Sequence, residues 1–202
     1  MKLVDSVHGA YVHTRRVRIL SELLAPLFPP GSRVLDVGCG DGILASALME
    51  LRPDLALEGI DVLVRDGARI AVREFDGLHI PFPDKSFDIV LLVDVIHHAD
   101  DGRGLLAEAS RVARRGVVVK DHLNDAWLAH STLAFMDRVG NARHGVALPF
   151  HYWGKRTWDE VIQAAGLKTS TWIGRLGIYP WWADWVFGRS LHFIGFFEPV
   201  QD

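Results

Sequence analysis

The sequence predicts a doubly wound α/β domain, a mostly parallel sheet covered on both faces by helices, with a helical and aromatic cap from the C-terminal half. Three observations carry this. Ile89-Val90-Leu91-Leu92-Val93-Asp94-Val95 is almost entirely apolar, as a strand buried on both faces by helices must be. Val34 to Val37 is a second β-branched, apolar run, and it passes through glycines at 38, 40 and 42 into the helix-forming stretch Ile43 to Leu51. The 202 residues, 49% hydrophobic and 10% aromatic, suffice for one full core and argue against a second independent domain.

In chain order, Tyr11 to Leu27 comes first. Val12, Val17, Leu20, Leu23, Leu24 and Leu27 recur at helical spacing, with Arg15, Arg16 and Arg18 on other faces. Pro26, Pro29, Pro30 and Gly31 close this helix before the first strand. The glycine turn that follows tolerates positive φ and has no Cβ, so a ligand can lie against the backbone with amides directed at it. Leu57 to Asp61 reads as the second strand, ending in an acid. The run 89–95 is a central strand, and its exit carries His97 and His98 to the end of the sheet where ligands bind in open α/β folds. Asp100 to Arg115 predicts a helix with Leu105, Leu106, Ala109 and Val112 inward and arginines complementing its C-terminal dipole. Gly116 to His122 is the fifth strand.

Beyond it, Asp125 to Val139 reads as a helix and Gly140 to Trp153 as a long structured loop. Thr157-Trp158-Asp159-Glu160 has the pattern of a capping box, opening a helix that ends at Gly166. Leu167 to Gly174 and Leu191 to Phe197 are two final strands. All seven tryptophans lie after residue 126, which marks the C-terminal half as the substrate cover. Tyr179, Pro180, Trp181, Trp182 and Trp185 form an aromatic insertion suited to enclosing an apolar acceptor, filling a lid core or meeting a surface.

The spacing Gly-x-Gly-x-Gly, with Asp36 two residues before it, departs from the dinucleotide fingerprint, whose third glycine comes one residue later. A pyrophosphate wants no neighbouring anion, whereas an acid at the strand end suits an ammonium group. A carboxylate at Asp61 can accept both hydroxyls of a ribose. The stretch Val34-Leu35-Asp36-Val37-Gly38-Cys39-Gly40-Asp41-Gly42 resembles the first motif of class I S-adenosylmethionine-dependent methyltransferases. Phe75-Asp76-Gly77-Leu78-His79-Ile80-Pro81-Phe82-Pro83-Asp84-Lys85-Ser86-Phe87-Asp88 resembles that family's third motif and the loop leading to its fourth strand. The resemblance covers residues 34–120.

It implies a Rossmann-like sheet of about seven strands, the final two antiparallel at the edge, and S-adenosyl-L-methionine as cofactor. Asp36, Gly38, Gly40 and Gly42 would hold its methionine part, with Tyr11 and Arg15 towards the carboxylate. Asp61 and the adjoining Val62 would lie at the ribose, Asp76 and Gly77 at the adenine, and the backbone of Val93 and Asp94 beside the sulfonium. Residues 1–31 then form a helical cover, 32–120 the cofactor half and 121–202 the substrate-covering half of one domain.

The implied reaction is methyl transfer to O, N or S of a small, apolar or aromatic molecule. Among His97, His98, His122, His144 and His151, the expected bases are His98 and His122, which follow adjacent strands, and then His151. A non-catalytic adenosyl-binding module and a nicotinamide oxidoreductase are the alternatives. Catechol-type relatives bind a divalent ion through acidic and amide ligands, for which Asp94, Asp121 and Asn124 would serve, but the surrounding sequence does not resemble them and no metal is expected. A net charge of -3 argues against a nucleic-acid partner. Cys39 is the single cysteine, which suits a reducing cytoplasm. No apolar run reaches the length of a membrane span. A monomer or homodimer without stable membrane insertion is expected.

Overall fold

The computed structural model describes residues 14–141, 151–180, 183–184, 187–188 and 190–200. A helix over residues 14–24 (α1) leads into β1 (Arg33–Val37), α2 (Ile43–Leu51), β2 (Ala56–Asp61), β3 (Val72–Glu74) and β4 (Phe87–Val93). There follow α3 (Gly102–Val112), β5 (Ala113–His122), α4 (Ala129–Asn141), α5 (Lys155–Ala164), β6 (Leu167–Ile173) and β7 (His192–Pro199). The strands make one sheet in the order β3-β2-β1-β4-β5-β7-β6. The first five are parallel, and β7 runs antiparallel to both β5 and β6.

Side-chain alternation along the central strands divides the core in two. Leu35, Val37, Val90, Leu92, Val117 and Val119 face α3 and α5, where they pack with Leu105, Leu106, Val161 and Trp158. Val34, Ile89, Leu91 and Val118 face the other way, onto Leu20 and Leu24 of α1 and Leu48 of α2. This two-sided burial is why β1, β4 and β5 read as continuous apolar runs.

Several elements differ from expectation. β3 has no sequence signature, because it is three residues long and two of them, Arg73 and Glu74, are exposed. The α3 helix stops at Val112 because Ala113 already pairs with Phe87 in the sheet, so Arg114 and Arg115 belong to β5. The arginine left at the helix end, Arg111, donates to the carbonyls of Ile80 and Phe82 and pairs with Glu108 and Asp84. Thr157 caps nothing. The cap lies three residues earlier, at Gly154, and the Lys155 amide donates to Asp125 Oδ2 at 2.7 Å. Asp125 therefore precedes α4 as a bracket between segments instead of starting that helix. Gly166 ends the α5 segment at φ +70° as expected.

Of the tryptophans described, Trp158 is buried, Trp172 stacks on Phe193 at 4.2 Å, and Trp153 meets Trp158 edge-on. These three fill the core under the sheet edge, whereas Trp127 is 79% exposed. Trp181, Trp182 and Trp185 lie outside the described residues, as do Tyr11 and His144. Among the described residues no helix is long and apolar enough to cross a membrane.

Candidate active site

β1 ends at Val37, and the next turn needs glycine at three places: Gly38, Gly40 and Gly42 all have φ between +60° and +73°. A Cβ on Gly38 would lie 2.5 Å from Val95 Cγ2, and one on Gly42 would lie 2.6 Å from Ile70 Cγ1. Four of the turn's amides are already used within the chain. Those of Gly38 and Cys39 donate to the Ile60 carbonyl, that of Gly40 to Asp61 Oδ2, and that of Gly42 to the Cys39 carbonyl. The turn thus offers a bare backbone surface more than the ring of free donors expected from the sequence.

Asp61 stands at the end of β2, its Oδ2 on the Gly40 amide at 2.8 Å and its Oδ1 on the Leu63 amide at 3.0 Å. Each carboxylate oxygen has a further lone pair for an incoming hydroxyl. Val62, Leu63 and Val64 follow it on the surface, 57%, 55% and 46% exposed. Gly77, at φ +82°, is pressed against Val62, with only 3.1 Å between its would-be Cβ and Val62 Cγ1. An apolar ledge therefore adjoins a carboxylate with acceptor capacity to spare. The Asp76 carboxylate is turned onto its own loop, accepting from the Leu78 and His79 amides and from the His79 ring, which pull it down to about 2. Asp36 is buried; desolvation first, and then the charge of Asp61, push it up to about 7. A ligand bringing positive charge would relieve this, whereas a pyrophosphate would aggravate it. An apolar ledge, a carboxylate able to accept further hydrogen bonds and a buried acid of raised pKa could together hold an adenosyl group joined to a cationic amino-acid tail.

A second constellation lies at the exits of β4 and β5, beside the glycine turn through the Val95–Gly38 contact. Asp94, at φ +56°, pairs with Arg16 and with the buried Lys120. Their charges outweigh burial and hold its carboxyl well below the usual range. His97 is fully buried, its Nδ1 2.6 Å from Asp121 Oδ1. It packs on His98 at 4.0 Å and on His122 at 4.4 Å between ring centroids. Tyr152 covers His97 and His122 and donates to Asp137 of α4. His192 of β7 closes the far side against His122. Burial lowers the pKa of His98, helped by His97, and that of His122, helped by Lys120.

The sequence profile of the methyltransferase-domain family matches residues 10–171. The chain belongs to this family. Among curated methyltransferases, it is 31% identical over 112 residues to the 27-O-demethylrifamycin SV methyltransferase of Amycolatopsis mediterranei, covering 48% of this chain and 41% of that protein. It is 43% identical over 96 residues to the fatty-acid O-methyltransferase of Mycolicibacterium smegmatis, covering 43% and 35%. These matches span about two-fifths of the relatives' own length. Among solved structures, a Haloferax volcanii methyltransferase in complex with its Trm112 activator superposes with a TM-score of 0.69 at 15% identity, covering 96% of this chain and 94% of that one. A Thermotoga maritima S-adenosylmethionine-dependent methyltransferase does so with 0.62 at 20% identity, covering 98% and 97%. Membership in the methyltransferase family implies S-adenosyl-L-methionine as the methyl donor.

Within this methyltransferase fold the predicted cofactor residues Asp36, Gly38, Gly40, Gly42, Asp61, Val62 and Gly77 lie at or beyond the ends of β1, β2 and β3, linked by the Gly40–Asp61 hydrogen bond and the close approach of Gly77 to Val62. Arg15 instead reaches the Gly177 carbonyl at 3.2 Å. Val93 ends β4, and the side chain of Asp94 is occupied by its two cations. Of the expected bases, His98 is half-buried and His122 sealed, both in one cluster, while His151 is exposed. Sequence reasoning missed Asp121, Asp137, Tyr152 and His192 as partners of these histidines. In the sequence Asp121 stands out only as a possible metal ligand and Tyr152 only as the neighbour of His151; the end of β5 places Asp121 and His122 at the strand's last two positions.

Proposed function

We propose that the chain transfers the methyl group of S-adenosyl-L-methionine to an O, N or S atom of a small, apolar or aromatic molecule. The observation that carries this is the pairing of Asp61 with the bare glycine turn, flanked by the Val62–Val64 ledge and accompanied by a buried Asp36 whose pKa, raised to about 7, a nearby cation would lower. In this reading Asp36 and Gly38, Gly40 and Gly42 receive the methionine part and Asp61 the ribose. The adenine rests by Val62, Asp76 and Gly77, and the sulfonium lies near Val93 and Asp94. The bound cofactor would supply an activated methyl group.

What remains for the chain is to place the acceptor in line and to accept its proton, and positioning is the larger effect, up to roughly 7–11 kcal/mol. The histidines at the ends of β4 and β5 handle protons at neutral pH. His98 has the exposed surface that His122 lacks, and its lowered pKa keeps it neutral; His151 stands outside on the adjoining segment. The curated relatives named above act on a rifamycin derivative and on fatty acids, which agrees with an apolar acceptor.

Calorimetric titration with S-adenosylmethionine, S-adenosylhomocysteine and NAD tests the proposal. Binding of the first two and not of NAD is expected, followed by methylation in a screen of apolar hydroxyl, amine and thiol acceptors. Binding of NAD alone would overturn it.

A further inference from the structure

We propose that His97, His98 and Asp137 form a binding site for a divalent first-row transition ion of the zinc class, with His97 Nε2, His98 Nδ1 and one Asp137 oxygen as ligands. One ring nitrogen of each histidine and a carboxylate oxygen of Asp137 lie within 4.8 Å of one another, and His97 Nε2 is 3.6 Å from Asp137 Oδ2. Ligands about 2.0–2.2 Å from a tetrahedral ion are separated by distances of that order, so small side-chain shifts complete the set.

The decisive feature is what these atoms lack. His97 Nδ1 is engaged by Asp121 at 2.6 Å, so with the proton there Nε2 presents a lone pair. Both Nε2 of His97 and Nδ1 of His98 are buried with no hydrogen-bond partner among the described residues. Two buried imidazole nitrogens thus converge with a carboxylate, and with both rings neutral and these nitrogens unprotonated all three groups are acceptors. Such an arrangement is costly unless a cation sits between them. The outer partners of a metal site are also in place: Asp121 orients His97 from behind, as carboxylates commonly do for metal-bound histidine, and the Tyr152 hydroxyl donates to Asp137. Two imidazoles favour a transition ion over magnesium or calcium, and three protein ligands leave a position open.

The neighbouring group of Asp94, His97 and His122 has comparable spacing but is closed. Its carboxylate already holds Arg16 and Lys120, whose ammonium would repel an ion. The ion's use rests on the methyltransferase reading. An acceptor hydroxyl or thiol at the open position would lose its proton more easily, and His98 would then serve turnover as a ligand.

The test uses the purified chain after treatment with a chelator and dialysis, titrated with Zn2+ by calorimetry, and separately with Co2+ while recording its visible spectrum. One Zn2+ per chain is expected, with Co2+ bands of a four- or five-coordinate N/O site. His98→Ala and Asp137→Asn should each weaken Zn2+ about 100-fold or more, with helical circular dichroism unchanged. His130→Ala, which removes a nearby exposed imidazole, should leave it within about twofold. A wild-type chain that binds no Zn2+, or variants that bind it as tightly, would overturn the site. S-adenosylhomocysteine titrated into the same samples separates the two readings: Zn2+ binding without it sinks the methyltransferase proposal alone, and its binding without Zn2+ sinks the metal site alone.

Discussion

Asp61 Oδ2 accepts the Gly40 amide at 2.8 Å, so the carboxylate proposed to hold the ribose also fixes the turn against which the rest of the cofactor would lie. Asp61→Ala removes both functions. A hydrogen bond to a charged group contributes about 1.5–3 kcal/mol, so S-adenosylhomocysteine affinity should fall about 10- to 100-fold by calorimetry. Asp61→Asn keeps one acceptor oxygen and should fall less. Unchanged affinity in the alanine variant would remove Asp61 from the site.

Gly38 has both a positive φ and Val95 against its α-carbon. Gly38→Ala therefore meets a left-handed backbone penalty of roughly 1–2 kcal/mol plus the displacement of Val95, which begins the segment leading to His97. The expected result is a loss of about 2–4 kcal/mol in urea denaturation. Gly67→Ala is the comparison: it has the same backbone strain, at φ +76°, with nothing near its would-be Cβ, and should lose only the smaller part.

What the sequence made legible follows from how local each signal was. β1, the glycine turn and β4 announce themselves because burial on two faces and positive φ leave few residue types able to serve. β3 is too short and too exposed to leave a pattern. The apparent capping box at Thr157 lost to Asp125, thirty positions away in sequence, because a remote carboxylate satisfied the Lys155 amide first. The histidine cluster was half-visible. His98 and His122 could be placed at strand ends, but their partners depend on the β4–β5 register and on where α4 docks, which brings Asp121 and Asp137 to the same imidazole.

Asp36 predicts a pH dependence. Its folded pKa, about 7, is raised above the ordinary 3.8 by burial and by Asp61. A raised carboxyl favours the folded state only while protonated, so its contribution is complete below the unfolded value and lost as pH rises through about 7. The ligand-free protein should lose stability on the order of 1–4 kcal/mol from this group between about pH 4 and pH 8, and Asp36→Asn should flatten that slope. A cationic ligand needs the ionised form. S-adenosylmethionine binding should therefore tighten with rising pH and release protons near pH 6, seen as a buffer-dependent heat; a heat independent of buffer would argue against Asp36 facing the charge.

Lys120 is almost wholly buried and pairs with Asp94, with His192 Nδ1 at 3.5 Å on its other side. Burial lowers its pKa, but Asp94 opposes that, and the pair is stable because each charge answers the other. Lys120→Met leaves Asp94 with the partly exposed Arg16 and the His122 ring, whose Nε2 lies 3.8 Å away. Removing one partner of a buried pair typically costs about 3–5 kcal/mol. In the Lys120→Met background, Asp94→Asn should recover part of the loss, because a neutral amide at the end of β4 no longer needs a buried cation. Urea denaturation of the wild type, both single variants and the double variant yields the coupling directly. Strictly additive losses would mean that Lys120 supports the fold through packing alone, and that Asp94 is held at its positive φ by Arg16 and the backbone.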